Sequence, residues 1–211
     1  MNLGSPFLYP IIDTDVCHAR GRAPLALAAA YVSGGARILQ LRHKSGSSAA
    51  FLQLADSLVA LARPAGAIVI INDRADIARL SGAGGVHVGQ DDLSPADARA
   101  VAGATAVVGL STHDAAQIEA ALETDATYLA VGPIFGTTTK ETGYSARGLD
   151  LLSHAAGHGK LVVAIGGITL DRVPKLVAAG AAGVAVITDL LVGDDPETRT
   201  REFIARLSAS R

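Results

Sequence analysis

Eight times along the chain a short run rich in Val, Ile and Leu gives way to an Ala/Leu-rich amphipathic stretch, and this alternation limits the fold more than any other feature. The runs lie near Leu8 to Ile12, Arg37 to Leu41, Ala67 to Ile71, Gly85 to Val88, Ala106 to Leu110, Thr127 to Val131, Leu161 to Ile165 and Gly183 to Ile187. The segments between them predict helices, for example over Ser48 to Ala62, Asp114 to Glu123, Leu170 to Ala179 and Pro196 to Leu207. Strands that are apolar throughout suit a sheet covered on both faces, which requires parallel strands. Strand–helix repeats then give either an open doubly wound sheet or a closed barrel. Eight units favour closure, for which about 200 residues is the lower size limit. An open sheet concentrates its polar site at one switch point, whereas here polar residues follow nearly every run. The expected fold class is α/β, a single (β/α)8 TIM barrel over residues 1–211 with no internal domain boundary.

Composition narrows the function classes. With 49% hydrophobic residues, the chain can bury a large core. No apolar run reaches about 18 residues, so no membrane span is expected. The segment Met1 to Pro6 lacks a basic stretch followed by an apolar one, so no secretory signal is expected either. A single cysteine, Cys17, leaves no disulfide framework and suits a reducing cytoplasm. A net charge of −2, no Lys/Arg block and no Trp speak against nucleic acid. The expectation is a cytoplasmic enzyme or metabolite-binding domain acting on small molecules, away from nucleic acid and membrane; a homo-oligomer stays open.

In a closed barrel the C-terminal strand ends share one face, and that face carries the active site. Gln40, Arg42 and Lys44 alternate after the second run, so a period of two aims all three the same way. Such residues on a buried strand meet a ligand or a partner, and two of the four lysines in the chain, Lys44 and Lys140, lie at strand ends. Cations gathered at one mouth suggest a polyanion; the bland alternative is a salt-bridged collar. Asp73 and Asp92 follow neighbouring strands, and two hard oxygen ligands suit Mg2+, whereas each alone serves equally as a cap or turn residue. Across the mouth, Gly166-Gly167 and Ile187-Thr188 lie where such barrels bind a phosphate through backbone N–H groups. Thr137, Thr138 and Thr139 supply hydroxyls from a long loop beginning at Gly132. His87 reads equally as a core or a site histidine. Ser111, His113 and Asp114 are adjacent, but adjacency is not triad geometry. The histidines and Cys17 show no zinc-ligand spacing, Lys160 lacks a P-loop context and reads as surface, and Cys17 reads as a small filler.

Together the segments Gln40 to Lys44, Asn72 to Asp76, His87 to Asp92, Gly132 to Lys140 and Ala164 to Ile168 resemble the thiamine-phosphate synthase family, over about Tyr9 to Phe203. The resemblance implies a magnesium-dependent transferase that joins a hydroxymethyl-aminopyrimidine, delivered as its diphosphate, to the nitrogen of a thiazole ethyl phosphate. Pyrophosphate would leave first, and the thiazole nitrogen would attack the resulting pyrimidine-methyl cation. Residues 40 to 44, Asn72, Ser111 and Lys140 would hold the pyrimidine diphosphate, with Arg42, Lys44, Ser111 and Lys140 in catalytic roles. Asp73 and Asp92 would ligate Mg2+, and Thr137, Thr138, Thr139, Gly167, Ile187 and Thr188 would hold the thiazole phosphate. The chain departs from the family pattern at Ile12, Gly136, Thr188 and the loop from Glu141 to Arg147.

Three rivals share the fold. A thiazole tautomerase would not need both the paired carboxylates and the basic second strand. A Schiff-base aldolase requires a lysine inside the barrel, and Lys140 lies out on a loop. A non-catalytic sensor of a phosphorylated metabolite would keep the Gly166-Gly167 site and lose the metal ligands.

Overall fold

The computed structural model describes residues 6–136 and 145–210. Among them eight strands, β1 (Phe7–Asp13), β2 (Ile38–Arg42), β3 (Ile68–Asn72), β4 (Gly85–Val88), β5 (Val107–Thr112), β6 (Tyr128–Val131), β7 (Leu161–Ile165) and β8 (Gly183–Val186), close into a parallel barrel in chain order. The last strand returns to the first through Phe7↔Gly183 to Pro10↔Val186. The barrel read from the sequence is the one observed, with strand ends displaced by at most two residues.

Helices α1 (Thr14–Ala19), α2 (Pro24–Ser33), α3 (Ser48–Ala62), α4 (Ala75–Ser81), α5 (Pro95–Ala102), α6 (Ala115–Leu122), α7 (Gly148–Ala156), α8 (Val173–Ala178) and α9 (Pro196–Ser208) cover the outside. Two expected helices differ in detail. Asp114 stands outside α6 as its cap, accepting from Gln117 N at 2.8 Å, because its carboxylate satisfies a first-turn N–H better than it continues the helix. The expected helix from Leu170 to Ala179 divides into a 3-10 turn, Leu170–Arg172, and α8. Pro174 explains the break: its ring clashes with the carbonyl four residues back, so it is tolerated only in a first turn.

Alternation along β1 shows how both faces of the sheet become apolar. Phe7, Tyr9 and Ile11 point into the barrel with Ile38, Ile70, Tyr128, Val163 and Ala185. Leu8 and Ile12 point outward into the layer that packs Leu39, Leu41, Ile71 and Val86 against Phe51, Leu58, Leu152 and Phe203. Each such aliphatic side chain contributes about 1.5–3 kcal/mol on burial, so the two layers hold the strand ends in fixed relation.

Candidate active site

At the C-terminal end of β1, Asp13 is buried and serves two elements at once. Its Oδ1 accepts from the backbone N–H groups of Asp15 and Val16 at 3.1 and 3.2 Å, starting α1. Its Oδ2 receives Arg42 Nη1 at 2.6 Å from the register position beside it on β2. The alternation read for Gln40, Arg42 and Lys44 holds only for the first two, since β2 ends at Arg42 and Lys44 lies in the following loop. Gln40 is buried and donates through Nε2 to the Tyr9 hydroxyl at 3.1 Å. Lys44 Nζ pairs with Asp73. Each of the three thus has a protein partner, as in the collar reading, while the Lys44 side chain stays half-exposed toward the mouth.

Asp73 does not cap α4, whose cap position is Arg74, with no capping hydrogen bond from its side chain. It sits just past β3 at φ 63°, the one non-glycine in the left-handed region among the described residues, and its N–H donates to His87 O at 2.7 Å. Its carboxyl is held above the ordinary range, first by burial; Lys44 pulls it down and the facing Asp92 carboxylate pushes it up. Asp92 also performs the turn role, accepting from Gly89 N at 2.8 Å after β4. Asp91 beside it is exposed. The structure therefore brings Asp73, Asp92 and Lys44 together, with Arg42 and Asp13 next along the rim.

Deeper in the barrel, Asn72, His87, Gly109 and Tyr128 follow one another in register across β3, β4, β5 and β6. His87 is buried, with Nδ1 2.9 Å from the Tyr128 hydroxyl and Nε2 2.9 Å from Ser111 Oγ. Ser111, His113 and Asp114 are no triad: His113 Nδ1 meets Gly132 O at 2.6 Å and Asp114 caps α6. Tyr9 and Tyr128 were not singled out from the sequence. The available signal was their hydroxyl within otherwise apolar strands.

On the far rim, Gly166 and Gly167 have φ of 96° and 61°. A Cβ at Gly166 would lie 2.5 Å from Pro133 Cα, and one at Gly167 would lie 2.5 Å from Gly136 O. The two glycines thus let the loop after β6 lie against β7, tied by Ile134 N to Ile165 O at 2.9 Å and Phe135 N to Gly166 O at 3.1 Å. Arg172 donates to Gly167 O at 2.5 Å and lies over the Phe135 ring. Ile187 and Thr188 follow β8, where Thr188 opens a 3-10 turn and both are partly exposed. Asp189 ties this rim together, accepting from Leu170 N at 3.1 Å and from Arg199 at 2.7 Å. Thr137, Thr138, Thr139 and Lys140 lie outside the described residues.

Elsewhere, burial and then the Asp13 charge push the Cys17 thiol up to about 11, which fits a filler rather than a nucleophile. Lys160 is not simply a surface residue: it closes the C-terminal end of α6 by donating to Ala121 O and Thr124 O at 3.2 and 2.5 Å. Glu119, His154 and His158, on the outer helical layer, form the one group of three potential metal ligands found among the described residues. All three are exposed, and their separation in sequence hid the grouping.

Residues 8–190 match the family model described as thiamine monophosphate synthase. A thiamine-phosphate synthase of Koribacter versatilis is 44% identical over 203 residues, covering 94% of each chain. One of Chlorobium luteolum is 39% identical over 208 residues, covering 98% of this chain and 95% of the relative. A solved thiamine phosphate pyrophosphorylase from Pyrococcus furiosus superposes with a TM-score of 0.88 at 26% identity, covering 97% of this chain and 96% of that one.

Proposed function

Because the chain belongs to the thiamine monophosphate synthase family and is a transferase of thiamine biosynthesis, we propose that its barrel mouth holds the reacting partners and Mg2+ in one arrangement. Arg42, Lys44 and Lys140 carry the positive charge for the pyrimidine diphosphate, with Gln40, Asn72 and Ser111 beneath it. Thr137, Thr138, Thr139, Gly167, Ile187 and Thr188 hold the thiazole phosphate on the opposite rim. The substrates are small molecules, and no helix among the described residues is long and apolar enough to cross a membrane. We place the reaction in the cytoplasm, in line with the single cysteine.

The observation that carries this reading is the meeting of Asp73 and Asp92 beside Lys44. Two carboxylates that repel one another, with a half-exposed lysine as the local cation, form a donor set that fits a hard divalent ion. When bound there, Mg2+ supplies charge stabilisation to the departing pyrophosphate. The chain's own residues do the rest. Lys44 is free to turn from Asp73 to phosphate oxygens, since its side chain is half in solvent. Arg42, braced by Asp13, presents a fixed guanidinium, which costs little reorganisation when charge develops on the leaving group. The rims hold two substrates at a set separation, which supplies proximity. No protein nucleophile is required: Cys17 is buried with a raised pKa, and the histidine beside Ser111 is backed by the Tyr128 phenol rather than by a carboxylate.

The test is pyrophosphate release by the purified protein given both heterocyclic substrates, with Mg2+ and then with EDTA. Metal-dependent release with thiamine phosphate formed in equal amount is the expected outcome. No product from folded protein that still binds the thiazole phosphate would overturn the reading in favour of a tautomerase or a sensor.

A further inference from the structure

Five side chains form one hydrogen-bonded chain through the barrel interior, from Gln40 on β2 to Ser111 on β5. Gln40 Nε2 lies 3.1 Å from Tyr9 Oη, Tyr9 Oη 2.9 Å from Tyr128 Oη, Tyr128 Oη 2.9 Å from His87 Nδ1, and His87 Nε2 2.9 Å from Ser111 Oγ. The first member sets the direction, because an amide nitrogen only donates. Tyr9 Oη accepts from it, and in a chain where each phenol donates once and accepts once the Tyr9 O–H points at Tyr128. The Tyr128 O–H in turn points at His87 Nδ1, which accepts only when unprotonated. The imidazole proton is then on Nε2 and donates to Ser111 Oγ, leaving the serine's own O–H to donate outward.

We propose that Tyr9, Tyr128 and His87 are positioning residues that fix the Ser111 hydroxyl as a hydrogen-bond donor to an acceptor atom of the pyrimidine diphosphate. This rests on the reading that Ser111 touches that substrate. Tyr9, Gln40, His87 and Tyr128 are all buried, and phenylalanine in place of either tyrosine would fill similar space without hydroxyls needing partners. The backbone is also shaped for the chain: a Cβ at Gly109 would fall 2.1 Å from Tyr128 Cζ and 2.5 Å from His87 Nδ1. His87 and Tyr128 lie nearly parallel, ring centroids 5.6 Å apart at 20°. A hydroxyl already accepting from His87 is restricted in where its own O–H can point, so the substrate's acceptor meets a partly preorganised donor.

Two measurements on the whole protein test this. Long-range 1H–15N correlation spectra of histidine-labelled wild type, at about pH 8, should show His87 as the Nε2–H tautomer; the Nδ1–H tautomer would reverse the chain and overturn the proposal. In kinetics, Tyr128→Phe should raise KM for the pyrimidine diphosphate about tenfold, the weight of one hydrogen bond. The same change should add nothing in a Ser111→Ala background, because the relay acts only through that hydroxyl. His87→Gln, which keeps an amide donor toward Ser111, should retain more activity than His87→Leu. If Ser111→Ala is impaired but Tyr128→Phe adds its full effect on top, the relay is merely structural and the proposal falls alone. If Ser111→Ala leaves both KM and kcat unchanged, the substrate contact falls and takes the relay with it.

Discussion

Tyr128 reaches His87 Nδ1 at 2.9 Å across a strand, and the residue in register between them is Gly109. The missing side chain at 109 is therefore the opening through which two buried polar groups meet. Gly109→Ala should drive its methyl into the Tyr128 ring, where rotamers have no room to yield, at a cost of about 3 kcal/mol. For a chain of this size that is a fall in Tm of roughly 6–12 °C. A melt within about 2 °C of wild type would mean the interior has slack that the geometry does not show.

Asp13→Asn separates the two jobs of Asp13. The amide oxygen can still accept from Asp15 and Val16 N–H, so α1 keeps its cap, but the charge that meets Arg42 is lost. Leaving that partly buried guanidinium without its partner should cost about 2 kcal/mol, and the loss should persist in high salt because the pair is shielded from solvent. In the Asp13→Asn, Arg42→Ala double variant the two losses should not add. Additive losses in chemical denaturation would show that the pair is not the unit it looks to be.

The barrel was legible because its information is local and repeated: eight apolar runs, each followed by a helical pattern, leave few topologies. Some strand-end residues were legible for the same reason, since topology places Arg42, Asp73 and Asp92 at one mouth, whereas the period did not carry as far as Lys44. What stayed hidden was pairing. Nothing in the order of residues says that Arg42 braces on Asp13, or that Lys44 pairs with Asp73. Nothing in the sequence marks Tyr9 and Tyr128 out from other large rings on buried strands; the contact of Tyr128 with His87 depends on Gly109, a residue with no chemistry of its own. The glycines at 166 and 167 show the converse, since they serve the packing of the loop from Pro133 to Gly136 as directly as they would serve a phosphate. At Pro174 the helical period is overridden by sterics, because the proline ring bars any helical position beyond a first turn.

Asp73→Asn tests the metal reading without relying on turnover. Burial and the facing Asp92 carboxylate disfavour the charged form of Asp73, so removing the charge should raise the Tm of the metal-free protein. The half-exposed Lys44 is left without its partner at little cost, because solvent screens it. Added Mg2+ should raise the Tm of wild type by ligand linkage and leave the variant nearly unmoved. An equal magnesium shift in both proteins would remove Asp73 from the ion's surroundings.

Cys17 offers a check on the first turn of the barrel rim. Burial raises its thiol from the ordinary value near 9 to about 11, and the neighbouring Asp13 charge adds to the same direction. At about pH 8 the folded protein should then hold roughly a hundredfold less thiolate than the unfolded chain, and alkylation by iodoacetamide should slow at least in proportion. For stability the sign follows from proton counting: between about 9 and about 11 the folded state keeps a proton that the unfolded state has released. Stability is untouched by this group below about pH 9 and declines as pH rises through that window, a decline that Cys17→Ala should remove. Alkylation of the native protein at the unfolded rate would mean that the Asp13 end of β1 opens readily, and the fixed brace on Arg42 would fail with it.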